Sequence, residues 1–417
     1  MSTFVEITRP AVRGLLLGAG LLALIAVGGL ALAPAAHAQA QQQVSKAVFD
    51  KYDPARAAYQ KKDYSTAVRL GKEALAAAKT PFEKQSCLMI VFGAAATAQF
   101  YGEAIEAGEQ LIALEGVPAA TRLSVQKTLA TLYPRANRID KAIAITKDYM
   151  KVTGGTPADW DLLAQLYSAQ KDCANLMPAL DKALAGNKAP EERQLLMQSN
   201  CYYKAHDTEK RIAVNTELLR RFPKRDYYNQ LLVIYQTDKK VEDLGLLALL
   251  RFGYDRDYLD SEADYVKLAD LALDVGTTAE AQRVLEKGIA KKLVKTTGKG
   301  SEKNTRLLDQ AKARAVEDSK TVGQLDAESR AGRNGESDVK LGYRYFSMGQ
   351  FDKAVEAIQR GLQPDRVARV KRPDEANMVL GIALVKLKKK ADADKAFTAA
   401  KADPRMAAAA TIWMNGT

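Results

Sequence analysis

Residues 341–362 read LGYRYFSMGQFDKAVEAIQRGL. Leu341, Gly342 and Tyr345 fall on one face of a helix, because helical neighbours recur every three to four residues. Gly349 ends that helix, since glycine takes the left-handed conformation that closes a helix at little steric cost. Phe351, Ala354 and Ile358 fall on one face of a second helix. The stretch is a helical hairpin, and the fold turns on whether it occurs once or is one link of a chain.

It is a link. Towards the C-terminus, Leu380, Gly381 and Leu384 open a second such unit, Ala393, Phe397 and Ala400 complete it, and Pro404 closes it. Towards the N-terminus, Tyr265, Leu268, Ala269 and Ala272 precede Ala281 and Leu285, and Tyr228, Leu231 and Tyr235 precede Leu244. Tyr202 leads to Arg211 and an RRFP ending at Pro223, and Trp160, Leu163, Ala164 and Tyr167 lead to Leu176 and Ala183. Tyr133 with Ala142, Ala95 with Ala104, and Ala58 with Ala67 supply three more. The anchor residues of the second helices stand at 67, 104, 142, 176, 211, 244, 281, 354 and 393. Their spacing is 33 to 39 residues except for one gap of 73, between 281 and 354.

This pattern resembles the tetratricopeptide repeat, with W-x2-L-G-x2-Y, then A-x3-F, then P in about 34 residues. The resemblance covers residues 53–290 and 337–404. It implies an all-α fold: a tetratricopeptide-type α-solenoid, a right-handed superhelix of antiparallel helix pairs with about nine to ten units. Each unit alone cannot bury its apolar face, and stacking supplies the core. Asp53-Pro54 reads as the cap and first residue of the first helix. Residues 291–336 read as a basic loop, at about 292–301, followed by a helix from Ser301 or Glu302 with an apolar stripe of Leu307, Leu308, Ala311 and Ala315. That segment is either a degenerate unit or a boundary between two solenoid segments. Residues 405–417 read as a C-terminal capping helix or tail in which Trp413 covers the last apolar face.

The resemblance also implies a concave groove lined by the first helix of each pair, where peptides or partner proteins bind. By position it presents Gln165, Asn200, Tyr203, Gln236, Tyr343 and Phe346. The Lys/Asn clamp that some family members use for acidic C-terminal peptides is not recognisable, because Thr131 stands where an asparagine should accompany Lys127. The repeat register places Cys173 and Cys201 on adjacent helices about one turn apart, which gives a disulfide as one reading and buried free thiols as the other.

The N-terminus has a different character. Arg9 and Arg13 precede the uncharged run GLLLGAGLLALIAVGGLALAP, which ends in AAHA before Gln39. This is the layout of a secretory signal peptide over residues 1–38, with cleavage expected after Ala38. The alternative is an uncleaved anchor, and both readings export the rest of the chain. The style of the cleavage site points to a Gram-negative periplasm. Residues 39–52 form a polar segment, and no second apolar stretch of spanning length follows.

The chain of 417 residues is 27% charged and 47% hydrophobic, the composition of a foldable soluble protein. Its formal charge is +12, of which the leader contributes +1 through Arg9, Arg13 and Glu6, leaving +11. Two stretches concentrate it, 287–314 with nine Lys/Arg and 365–390 with eight, and either could meet an anionic partner. Nucleic acid is not expected in an exported protein.

Catalytic chemistry is not expected. His206, in a turn, is the only histidine beyond the leader, so no Ser-His-Asp or Cys-His arrangement can be assembled without it. There is no metal-binding spacing and none that implies a cofactor. TTGKGSEKNT lacks the spacing of a phosphate loop. The chain therefore reads as a periplasmic scaffold for protein–protein interactions in envelope assembly or transport. The alternatives are a polysaccharide- or peptidoglycan-binding solenoid and an enzyme with an unrecognised site in 291–336.

Overall fold

The computed structural model describes residues 44–185, 189–237, 243–332 and 334–415, except for the side chains of residues 243, 244 and 415. The leader with its cleavage site, residues 39–43, and the Leu244 side chain lie outside that description. All regular structure among the described residues is helical. The described residues form two compact units, one ending at Pro118 and one beginning at Ala119.

The first unit holds two hairpins, α1 (Lys46–Gln60) with α2 (Tyr64–Ala77) and α3 (Pro81–Thr97) with α4 (Tyr101–Ala113). Here the expected start at Asp53-Pro54 is corrected. Helix α1 begins seven residues before Asp53, and Pro54 lies inside it. Pro54 cannot donate to the carbonyl four residues back. Two contacts made by the earlier turns offset that loss. Val48 packs, fully buried, with Ala74 and Cys87, and the Ser45 N–H donates to Glu83 Oε1 at 2.9 Å. Glu83 also closes a capping box with Thr80 at the start of α3.

In the second unit, α5 (Ala119–Leu132) and α6 (Ile139–Thr153) are followed by α7 (Pro157–Ala169) with α8 (Cys173–Ala183) and α9 (Glu192–Lys204) with α10 (Thr208–Arg221). Next come α11 (Arg225–Thr237), α12 (Asp243–Asp255), and α13 (Glu262–Asp274) with α14 (Thr278–Ala290). A single long helix, α15 (Glu302–Ala331), precedes α16 (Gly335–Ser347) with α17 (Phe351–Gly361), α18 (Pro373–Lys386) with α19 (Lys390–Ala400), and α20 (Pro404–Asn415).

One turn is repeated throughout. Lys62, Gln99, Asn137, Lys171, His206, Gly276, Gly349 and Lys388 all have positive φ. Each stands five residues before an anchor. The next N–H in the chain donates to the carbonyl five residues before it, for example Gln350 to Tyr345 at 2.9 Å and Lys389 to Leu384 at 2.9 Å. This is the hydrogen-bond signature of a Schellman closure. Asp63, Asp172 and Asp207 then cap the following helix by accepting from the N–H three residues on. Small residues let the two helices of a pair approach. A Cβ added to Gly342 would lie 2.4 Å from Ile358 Cγ1, and one added to Gly381 would lie 2.4 Å from Phe397 Cε1. Cys173, the first residue of α8, is bonded to Cys201 on α9, with Cα atoms 5.4 Å apart, and Cys87 is a buried free thiol.

Between α14 and α16, where the gap of 73 residues opens, stands one helix of 30 residues, not a pair. Leu307, Ala311 and Ala315 form its buried stripe. It packs on α14 and α16, yet those two also touch directly, the Glu280 N–H donating to Ser347 Oγ at 3.0 Å. The hairpins on either side therefore stack, and α15 is added alongside them. Asp338, with no exposed surface, locks the junction. Its carboxylate accepts from Arg360 Nε and Arg366 Nη1, each at 2.7 Å, and from the Ser329 hydroxyl.

The C-terminal part of this unit does not stay open. Helix α12 is buried nearly all round, with Leu246 to Leu250 and Phe252 inside. It packs more extensively on α20 than on α11. Trp413 of α20 sits edge-on to Phe252, 5.5 Å between centroids, and stacks on Phe397 at 6.3 Å. Its Nε1–H donates to the Ala248 carbonyl, 165 residues earlier, at 3.0 Å.

Candidate functional site

The six residues expected to line the groove occupy two register positions, eleven and eight residues before an anchor. The structure separates them. On α7, Gln165 is half-buried and donates to Asp161 at 2.8 Å, and Asp161 in turn receives Arg193 at 3.0 Å and Gln194 at 2.7 Å from α9. Asn200 and Tyr203 on α9 are exposed, Tyr203 by 61%. The Arg211 guanidinium, at the anchor that departs from a small residue, lies 4.7 Å from the Tyr203 ring centroid. On α11, Gln236 is exposed and donates to Asp264 at 3.1 Å, and Val233, at the companion position, is 52% exposed.

Tyr343 and Phe346 do not belong to that face. The expectation that they line an open groove is corrected: they are only 7% and 5% exposed. Phe346 stands at the same register position as Tyr203, so the difference lies in what covers it. The guanidinium of Arg251, on α12, sits 5.2 Å from the Phe346 ring centroid. Burial pushes the Tyr343 hydroxyl well above its ordinary pKa and also raises that of the neighbouring Glu375 carboxyl, against the pull of Arg251 and Arg372.

Arg251 is the centre of a chamber lined by the chain's own helices. It is 5% exposed and forks onto Glu280 at 2.9 and 2.6 Å, with Thr277 Oγ1 at 3.2 Å. A cavity of about 250 Å³ adjoins the pair, walled by Phe346, Ile382 and Trp413, with Arg283 and Lys386 at its rim. Lys386 pairs with Asp255 of α12. Burial alone would raise the Glu280 pKa, but Arg251 outweighs it and holds the carboxyl below its ordinary value. Because the pair satisfies itself, the chamber is a structural joint. Its one sequence signal is a lone arginine inside LLALLRFGYD, an otherwise apolar helix.

A second cavity, of about 420 Å³, lies among α6, α7 and α8. Met150, Leu163, Tyr167 and Ala179, all buried, make its floor, and Trp160, Pro178, Lys147, Lys151 and Lys182 surround it. Lys182 Nζ is 4.0 Å from the Trp160 ring centroid, and Lys147 Nζ is 5.5 Å from that of Tyr167. Sequence reading assigned Trp160 and Tyr167 to the repeat pattern and passed over the lysines, which come from two different helices.

The basic stretches are less free than their composition suggests. In 287–314, Lys287 and Lys291 both pair with Asp257, and Lys312 approaches Glu286 at 3.8 Å. In 365–390, Arg366 is bound to Asp338 and Lys386 to Asp255. His206 is an exposed residue of a Schellman turn. Among the described residues no group of three or more His, Cys, Asp or Glu could hold a metal ion, and no helix is long and apolar enough to cross a membrane.

No family model matches the chain, and no curated protein matches it in sequence. Among solved structures it is similar to a tetratricopeptide repeat protein from Parabacteroides merdae, at 13% identity and a TM-score of 0.36, over 64% of this chain and 99% of that one. The TPR2AB domain of yeast Sti1 in complex with pHSP90 aligns at 16% identity and a TM-score of 0.33, over 64% of this chain and 98% of that one. A structure of Naa15/Naa10 bound to HypK-THB aligns at 13% identity and a TM-score of 0.34, over 86% of this chain and 59% of that one.

Proposed function

We propose that this chain is an exported, non-catalytic scaffold of the tetratricopeptide type that holds a partner protein in the periplasm during envelope assembly or transport. The observation that carries the reading is the contrast at equal register between Tyr203 and Phe346. Where α12 is inserted, the chain's own residues cover the face. On α9 and α11 Tyr203 and Val233 stay exposed, Tyr203 with the Arg211 guanidinium of its own hairpin beside its ring, and the exposed amides of Asn200 and Gln236 lie on the same helices, Gln236 donating to Asp264. An aromatic, an aliphatic and two amides on neighbouring helices suit a peptide segment: apolar contact supplies affinity, and hydrogen bonds fix its direction.

The test is in-cell photo-crosslinking from Tyr203 and Val233, with Tyr343 as the buried control. A discrete protein adduct at either exposed position and none at Tyr343 is the expected result. Adducts absent at both, with the chain retained on envelope polysaccharide, would replace this reading with glycan binding. Export is tested separately by N-terminal sequencing of the periplasmic form, with Gln39 expected as the first residue.

A further inference from the structure

The groove among α6, α7 and α8 carries chemistry that the repeat pattern does not require. Three lysines, Lys147, Lys151 and Lys182, line it, and no carboxylate does. Two acids on or beside the same helices, Asp148 and Asp172, are engaged. Asp148 pairs with Lys151 at 2.8 Å. Asp172 is occupied as the cap of α8, accepting from the Asn175 N–H at 3.1 Å and its side-chain amide at 2.7 Å. Lys147 also lies close enough to Asp172 to favour its charged form. Lys182 and Lys147 rest on aromatic rings and make no direct ion pair among the described residues. Cation–π contacts of this kind hold an ammonium group in place without neutralising it.

Beneath the lysines the groove is apolar, with Leu163 and Ala179 almost fully buried in its floor. Its volume of about 420 Å³ falls in the range of ordinary ligand sites. A fully polar anion would leave that floor wet, and an apolar ligand would leave the lysines unused. Both are satisfied by a ligand that joins an apolar group to anionic ones; a peptide with an apolar side chain between carboxylates does so with a charge on each side, as the lysines on α6 and α8 flank the floor, whereas an acidic glycan has no apolar group to offer.

We propose that this groove is a docking site for an extended acidic segment of a partner protein, in which one aromatic or aliphatic side chain enters the floor between Trp160, Leu163 and Ala179 while flanking carboxylates meet Lys147 and Lys182. The site is independent of the face that presents Tyr203 and Val233.

Fluorescence anisotropy on the full exported chain tests it, with a labelled Glu-Glu-Phe-Glu-Glu peptide as the probe. The expected result is saturable binding that weakens with salt, falls by about tenfold or more in Lys147→Glu/Lys182→Glu, and falls again when the peptide's Phe is replaced by Gly. The charge-matched variant Lys388→Glu/Lys401→Glu, at exposed positions elsewhere, keeps the affinity of the parent. Three results would overturn the proposal: no saturable binding, an equal loss in both variants, or tighter Lys147- and Lys182-dependent binding of polygalacturonate than of the peptide. Circular dichroism of each variant excludes unfolding as the cause, and all four lysines changed are exposed.

Discussion

Removing the Glu280 carboxylate should cost more than removing the whole ion pair. In Glu280→Ala, Arg251 would remain in a site where only 5% of it reaches solvent. It would keep one direct partner, Thr277 Oγ1 at 3.2 Å, and lose the two contacts at 2.6 and 2.9 Å that neutralise it. Stranding a buried charge in this way costs about 3–5 kcal/mol. In Arg251→Met/Glu280→Met neither charge of the pair is left to strand, and the buried Glu375 keeps the pull of Arg372. Thr277 stays satisfied because its hydroxyl also donates to the Ala272 carbonyl at 3.0 Å, and the methionines can pack against Phe346 and Trp413. The double variant should fall within about 1 kcal/mol of the parent. Urea unfolding followed by fluorescence is the assay. With Trp160→Phe as the common background, the signal comes from Trp413, the other of the two tryptophans and a wall of the same cavity. A loss below about 1 kcal/mol in Glu280→Ala, or an equal loss in single and double variants, would refute the assignment of this pair as a self-neutralised joint.

Gly342→Val should destabilise the protein by about 1–3 kcal/mol in thermal or urea unfolding, through overpacking against Ile358, whereas Gly102→Ala, where an added Cβ meets nothing within 4 Å, should stabilise α4 by about 0.5–1 kcal/mol. Burial works to raise the Asp338 pKa, but Ser329, Arg360 and Arg366 outweigh it and hold the carboxyl below its ordinary value. Its contribution to stability is therefore present above the unfolded carboxylate pKa, about 3.9, and is lost as pH falls through the folded value. Asp338→Asn should lower the urea midpoint at pH 7 and narrow the difference between pH 5 and pH 3. Thiol titration should find none in the native protein, where burial pushes the Cys87 thiol up to about 11. Denaturation without reductant should expose Cys87 alone, and reduction should add Cys173 and Cys201.

The repeat register was legible because it is a local property. Each of these turns has one left-handed residue and most second helices have a small residue five positions later, so both leave marks within a dozen residues. Lys62 does not announce its positive φ by type, but Ala67 five positions on does; His206 has neither mark, because Arg211 stands at its anchor, and only the register of the neighbouring units places it. What the sequence could not reveal was coverage. Phe346 and Tyr203 both read as residues of a first helix facing outward, and the placing of α12, which brings Arg251 onto the Phe346 ring, separates them. The start of α1 was missed for a related reason. Pro54 is a strong local stop, and the contacts that override it, Val48 with Cys87 and Ser45 with Glu83, lie between residues 38 or 39 positions apart. The lysine groove was hidden because its charges lie on separate helices and no run of basic residues marks it.

The bond from Trp413 to the Ala248 carbonyl changes what kind of repeat protein this is. An open array of hairpins is modular: units can be gained or lost at an end, because each touches only its neighbours and stability grows by increments. In the second unit the final helix rests on the middle of the chain. A hairpin inserted or deleted between α12 and α20 would pull Trp413 away from Phe252 and Ala248 by the width of a repeat. The number of units between them is thus fixed by geometry, as links are fixed in a clasped chain. Folding must also bring together residues 165 positions apart, which makes this part of the molecule a slower and more all-or-none assembly than an open stack of the same length.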